Sequence, residues 1–373
     1  MRRIVITTSL ISLLLIAFLS GCISQSQTQT ITVTETKTHT EYVPITPSTT
    51  TTSTSSPAET SSTMTPTTTP QNNEEGLIKV DCQNERWRDD YEKAMVCILS
   101  NTRYIEEGLS KEPKQVALRV ANELGNNFVL DAEKENQSMI KGYYFNILTP
   151  KELEQTKKGT YADFAMYGAV KLLSNDVDTY MVYIKTEKGF GLLPAFKIEP
   201  NGKLFLIFWP YIIPITLGSA KELLDYGGDP LQYAVIYHIE PIEGSEKVNV
   251  RNLEKIDRFQ ILPDSITEFN DNLWKVKKDL PTYMKKEFGI LYPQCEWDTN
   301  LRPNKEYEAY LLPYQWFYSN EFHEEVLDAM AKDIIATIKQ QDKNAWVLCE
   351  KYYIAEITPM NDRLYVHVFF KTS

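Results

Sequence analysis

Residues 150–173, PKELEQTKKGTYADFAMYGAVKLL, constrain the fold more than any other stretch of the chain. After a Lys/Gly turn, Ala162, Ala165, Met166, Ala169, Leu172 and Leu173 recur at helical spacing, the stripe of a helix seated in a core. Thr160 is placed to cap that helix. Asp163, three residues on, can satisfy first-turn amides and lies at the positive end of the helix dipole. The flanking sequence supplies elements to pack on it. Trp87, Tyr91, Ala94, Met95 and Ile98 predict a helix over 84–99, and Val116, Ala117, Val120, Ala121 and Leu124 predict another over 112–124, ending at Gly125. Residues 126–138 end as polar loop and contain the N-glycosylation sequon Asn136-Gln137-Ser138. Residues 178–186, 191–199 and 203–209 read as strands, the last two joined as a hairpin through Pro200-Asn201-Gly202. Ser219 opens a short helix ending at Gly227-Gly228, 231–240 is a further strand, and 241–246 is the expected domain boundary.

Gly159-Thr160-Tyr161-Ala162-Asp163-Phe164-Ala165 resembles the G-x-C-x-D-x-A segment that opens the core helix of transglutaminase-like, papain-related domains. Thr149-Pro150-Lys151-Glu152-Leu153 resembles the usual lead-in of that family. The resemblance covers about 80–245 and implies an α+β fold, a transglutaminase-like core of helices packed on an antiparallel sheet. It also implies where a catalytic apparatus would sit. Such a site needs a cysteine acidified at a helix N-terminus, a histidine base and an acid to orient it. By the resemblance the cysteine falls on Tyr161. The histidine falls on Pro194, in Pro194-Ala195-Phe196, and the acid on Phe208 or Trp209 before Pro210. None of these can do that chemistry, so the resemblance implies a retained scaffold with no catalytic residues. The rings could leave an open apolar cleft or fill it; the bulk of a tyrosine at the start of a core helix favours filling.

The C-terminal part reads as helix (265–279), strands (290–297 and 305–312), helix (320–341) and strands (345–357 and 363–371), with Ser319 as a cap and Asn361-Asp362 as the last turn. That is a second α+β layer. At the other end, residues 1–22 carry two arginines, an apolar run from Ile4 to Phe18 and then Leu19-Ser20-Gly21-Cys22. The run is shorter than the roughly 20 residues that span a bilayer as a helix, so it reads as a signal peptide. Its ending resembles a lipobox, which implies a lipid on Cys22. Residues 23–75 are a Thr/Ser/Pro-rich tract with too few apolar residues to order, a stalk. The expected divisions are thus 1–22, 23–75, 76–245 and 246–373, with the folded part lipid-anchored on the extracellular face of the membrane.

If 84–99 is one helix, Cys82 and Cys97 stand roughly 20 Å apart, beyond the ~7 Å Cα separation a disulfide tolerates. They are not expected to pair, and Cys97 reads as a buried thiol. Cys295 and Cys349, in predicted strands of one layer, are the better candidates.

Other chemistry is sparse. His39 lies in the stalk, His238 and His367 in predicted strands and His323 at a helix start. No spacing suits a metal and no cofactor fingerprint is present. His238 with Glu240 forms an i, i+2 pair on one strand face. Six of the 22 tyrosines (143, 144, 161, 167, 180 and 183) surround the core helix, as packing or as the lining of a cleft. A net charge of −11 argues against a nucleic-acid partner. Three readings follow: a tethered, catalytically silent module that binds a protein, peptide or glycan; a cell-surface hydrolase or acyltransferase using unrecognised residues; or a solute-binding lipoprotein. The last calls for parallel α/β units, whereas hairpins predominate.

Overall fold

The computed structural model describes residues 77–83, 85–101, 112–198, 202–245, 247–360 and 362–373. The expected signal peptide and stalk, with Cys22 and His39, and the expected turn residues Pro200, Asn201 and Asn361 lie outside the described residues. Among the described residues no helix is long and apolar enough to cross a membrane.

Local capping chemistry sets the first correction. Asp90 accepts hydrogen bonds from the amides of Glu92 and Lys93, so helix α1 runs only Tyr91–Leu99. Residues Glu85–Asp89 form a separate 3-10 turn. The chain therefore doubles back where a continuous helix was expected. Cys82 and Cys97 are disulfide-bonded, with Cα atoms 5.4 Å apart. Cys97 is buried, but as half of a cystine.

Helix α2 (Pro113–Asn127) begins with proline in its first turn and buries Val116, Ala117, Val120, Ala121 and Leu124. The segment expected to end as loop instead forms β1 (Val129–Leu130) and helix α3 (Ala132–Lys141), capped by Asp131. Its only buried residues are Glu135 and Ser138, so no apolar stripe marks it. The sequon thus lies on a helix, and Ser138 donates its hydroxyl to the Lys134 carbonyl.

A Thr149/Glu152 capping box starts α4 (Pro150–Thr156), and β2 (Lys158–Gly159) pairs in parallel with β1. Helix α5 (Tyr161–Ser174) follows, with every residue but Lys171 and Ser174 buried. It rests on a six-stranded antiparallel sheet of β3 (Thr179–Thr186), β4 (Phe190–Ile198), β5 (Lys203–Leu206), β6 (Ile215–Thr216), β7 (Leu231–Pro241) and β8 (Val248–Asp257), in the order β6-β5-β4-β3-β7-β8. Helix α6 (Leu217–Tyr226), capped by Thr216 rather than Ser219, lies between β6 and β7. The turn at 242–247 closes the β7–β8 hairpin, so the sheet continues through the expected domain boundary.

The second layer begins with α7 (Ser265–Asp271) and α8 (Leu273–Leu291). The helical region runs on past 279 because Val276, Leu280, Met284 and Phe288 keep a buried four-residue step, and only Glu296–Trp297 remains as strand β9. Strand β10 (Lys305–Leu311), helices α9 (His323–Gln341) and α10 (Ala345–Leu348), and strands β11 (Cys349–Pro359) and β12 (Leu364–Thr372) complete it. The sheet order is β10-β12-β11-β9, antiparallel except for the β9–β11 pair. Cys295 and Cys349 are bonded, their Cα atoms 5.0 Å apart. Gly76–Ser373 fall in one compact unit. Phe205 of the first sheet packs edge-on against Phe322 before α9, ring centroids 5.1 Å apart, and Lys203 pairs with Glu268 of α7 at 2.6 Å. The fold is α+β, helices packed on an antiparallel sheet followed by a second α+β layer.

Candidate functional site

The N-terminus of α5 is built as the sequence implied, and more heavily. Thr160 caps it, and Asp163 Oδ2 accepts the Thr160 amide at 2.7 Å and hydroxyl at 2.9 Å. Asp163 is fully buried. Its other oxygen takes the Leu148 amide at 2.7 Å, and Lys134 of α3 reaches Oδ2 at 3.0 Å. Gly159 is required by space, since a Cβ there would lie 2.7 Å from Leu153 Cδ1 and 2.9 Å from Asp163 Cβ.

A second carboxylate meets the same terminus. Glu135 of α3 is 7% exposed. It accepts the Tyr161 amide at 3.1 Å and the Tyr144 hydroxyl at 3.4 Å. Burial, with the Asp163 charge nearby, pushes its pKa up to about 7 against the pull of these hydrogen bonds and of Lys134. Sequence reasoning missed Glu135 because it missed α3. The Asp131 cap was the available signal.

Tyr161 is 3% exposed and Trp209 9%. Their ring centroids lie 5.9 Å apart, and Phe164 completes the group at 6.3 Å from Tyr161 and 5.4 Å from Trp209. Trp209 donates its indole N–H to the Leu124 carbonyl at 3.2 Å. Burial, reinforced by Glu135, holds the Tyr161 hydroxyl protonated, far above the usual tyrosine range. Three interlocked rings thus cover the first turn of α5.

Pro194 does not join them. It lies beneath Gly168, where an added Cβ would come within 2.6 Å of its ring. Gly168 is seven residues past Tyr161, about 10 Å along the axis at the helical rise. Tyr161 and Trp209 converge; Pro194 is a packing residue farther along.

The remaining candidates are structural or lie elsewhere. His238 bonds Asp178 at 2.8 Å through Nε2 and Glu240 at 3.2 Å through Nδ1, and stacks on Tyr180. Both ring nitrogens are therefore engaged. The β3–β4 and β3–β7 registers put this group on the sheet face opposite α5. That face also holds a cavity of about 360 Å³ bordered by Lys197, Ile236, Thr216 and Asp264. His323 is buried between Tyr318 and Asp279. No cluster of His, Cys, Asp and Glu suited to a metal occurs among the described residues. Of the six tyrosines that the sequence placed around α5, 144, 161 and 167 are buried, 183 is partly so, Tyr143 is 48% exposed, and Tyr180, though buried, is on the opposite sheet face with His238. Most of them are packing.

Comparison with known proteins adds a family likeness. A family model described as a transglutaminase-like domain matches residues 100–222. Among solved structures, calcium-bound LapG of Legionella pneumophila aligns at 12% identity over 32% of this chain and 64% of LapG, with a TM-score of 0.26. EGTA-treated LapG aligns at 13% over 38% of this chain and 68% of that one, with a TM-score of 0.25. The chain thus spans less than two thirds of the calcium-bound protein it matches. No curated protein sequence matches it.

Proposed function

We propose that this chain is a catalytically silent transglutaminase-like module, serving binding or structure rather than turnover, and held at the extracellular face of the membrane by a lipid on Cys22. The observation that carries the first half is the ring cluster at the start of α5. The position that the resemblance gives to a nucleophilic thiol holds Tyr161, packed on Phe164 and Trp209. Its amide, the first of the helix, is already taken by Glu135. A thiolate at that terminus would draw on the same dipole that here serves a carboxylate. The anchor rests on Leu19-Ser20-Gly21-Cys22 and the stalk behind it.

The test is direct. The full chain in detergent should neither cleave peptide amides nor incorporate amines in a way that thiol alkylation abolishes. Tyr161→Cys should not restore either activity, because Glu135 still occupies the helix terminus. Alkylation-sensitive turnover by the native chain would end this reading. Cys22→Ala should leave unprocessed precursor or shed the protein, and detergent partitioning unchanged by the substitution would end the anchor reading. A second reading, a hydrolase using other groups, has one observation in its favour: a carboxyl with a pKa near neutrality beside the helix terminus. Amide turnover that survives alkylation and is lost in Glu135→Gln would select it.

A further inference from the structure

The C-terminal sheet is covered on one face. Along β12 burial alternates: Leu364, Val366, Val368 and Phe370 are buried, whereas Tyr365, His367 and Phe369 are half-exposed. Helices α8 and α9 lie with the buried set. The other set faces solvent.

Register gathers the exposed side chains into a band. Tyr310 stands opposite Tyr365, Glu308 opposite His367 and Glu306 opposite Phe369. Across β12, His367 meets Glu356 and Phe369 meets Tyr353. Ring centroids lie 5.4 Å apart for Tyr310 and Tyr365, 4.6 Å for His367 and Phe369, and 5.1 Å for Tyr353 and Trp297. Trp297 of β9 is in register with the buried Tyr352, so the band itself crosses β10, β12 and β11, about 10 Å at the usual inter-strand spacing.

The cations on this face, Arg363, Lys351 and Lys371, are each matched by a carboxylate outside the band, which leaves Glu306, Glu308 and Glu356 as the band's own charges. Among the described residues the Glu308 carboxylate accepts only tyrosine hydroxyls, from Tyr310 at 3.3 Å and Tyr365 at 3.2 Å. Glu356 accepts the Thr358 hydroxyl at 2.6 Å, and Glu306 lies 3.4 Å from His367 Nε2. Among the described residues no lysine or arginine pairs with any of the three. The nearby lysines are engaged elsewhere, Lys351 with Asp298 and Lys371 with Glu350. Aromatic faces present the negative side of their quadrupole. Rings and carboxylates together therefore attract a cation carried on a flat or apolar stem. The chain already shows one instance. The Arg363 guanidinium lies 5.8 Å over the Tyr310 ring, its own charge matched by Asp362 at 2.7 Å.

We infer that this sheet face is a docking surface for a basic polypeptide segment of a partner protein. Tyr310, Tyr365, Phe369 and Tyr353 take its lysine stems and guanidinium planes, and Glu306, Glu308 and Glu356 match its charges. A neutral glycan could stack on the same rings but would leave all three carboxylates unmatched. The inference stands apart from the reading of the Tyr161 helix.

The experiment measures binding of a fluorescent hexa-arginine peptide, and separately of cellohexaose, to the detergent-solubilised full chain at low salt. Replacing Glu306, Glu308 and Glu356 together by Gln should weaken hexa-arginine about tenfold, as expected for three exposed charge contacts. Glu187→Gln, Glu243→Gln and Asp271→Asn together change the net charge equally at exposed sites elsewhere, and should cost under about twofold. Tyr365→Ala with Phe369→Ala keeps every carboxylate and should cost about fivefold. Exposed Glu-to-Gln changes leave folding intact, and circular dichroism checks this. Equal losses in the two charge triples overturn the proposal, as do ring substitutions without effect. Saturable cellohexaose binding undiminished in the Glu-to-Gln variant replaces it with a glycan site.

Discussion

The two sheets of this chain use aromatic side chains in opposite ways. Against the six-stranded sheet, Tyr161, Phe164 and Trp209 are turned inward around the first turn of α5 and are almost wholly buried. On the four-stranded sheet, Tyr310, Tyr365, His367 and Phe369 alternate outward from a buried row. The same residue types therefore supply core cohesion in one layer and leave a surface in the other. The lesson is that the position a resemblance gives to an active site need not be an accessible surface. The place where transglutaminase-like chemistry would sit is interior, and the accessible rings are in the layer for which the sequence offered no family.

Substitution can break this contrast. The largest effect is expected at Tyr161. Removing its ring leaves a cavity against Phe164 and Trp209, so Tyr161→Ala should cost about 3–5 kcal/mol in urea denaturation. A loss below about 1 kcal/mol would mean that the rings line an open cleft.

Next in size is a pH effect confined to the same region. The Glu135 carboxyl titrates near 4.5 when unfolded and at about 7 in the fold. A raised carboxyl pKa means that the native state binds the extra proton between these values. Stability is therefore full below about pH 4.5 and falls as pH rises towards 7, by on the order of 3 kcal/mol. Glu135→Gln keeps an acceptor for the Tyr161 amide and should flatten that part of the profile. An unchanged slope in denaturation series from pH 4 to 8 would remove Glu135 from the account.

The smallest effect is expected on the exposed face. Tyr365→Ala should change stability by less than about 1 kcal/mol, since a half-exposed ring leaves no cavity. A loss comparable with that of Tyr161→Ala would show that both sheets use their rings for cohesion, and the contrast would collapse.

What the sequence disclosed follows the range of each signal. The start of α5 was legible because its determinants, Thr160 and Asp163, are three residues apart and act on each other. The strands of the first sheet were legible from β-branched and aromatic runs. Helix α3 was not, since the face it buries is Glu135 and Ser138, and periodicity methods see only apolar stripes. The Cys82–Cys97 bond was misjudged because one capping residue, Asp90, replaced the first half of an expected helix with a reversal. The turn at 242–247 looked like a boundary because a hairpin turn and a linker draw on the same residues; only the pairing of β7 with β8 distinguishes them. In the candidate site, Tyr161 and Trp209 meet. Pro194 does not, because alignment fixes the residue's order along β4 but not which turn of α5 lies over it.

The Cys82–Cys97 bond has a mechanical consequence. Leu77 bridges Arg251 of β8, and the Ile78 amide bonds the Val250 carbonyl at 3.0 Å. Tension arriving along the chain ahead of Leu77 is first resisted by these backbone bonds, which can peel apart. Beyond them it reaches Cys82, where a covalent link diverts the load into Cys97, near the end of a helix whose Ala94, Met95, Ile98 and Leu99 are locked in the core. The segment between the two cysteines, which stand 15 positions apart in the sequence, is thereby shielded from stretching. A pull strong enough to strip the outermost pairing stops at the cystine, and the packing around α5 is not strained until that bond breaks or α1 leaves its seat.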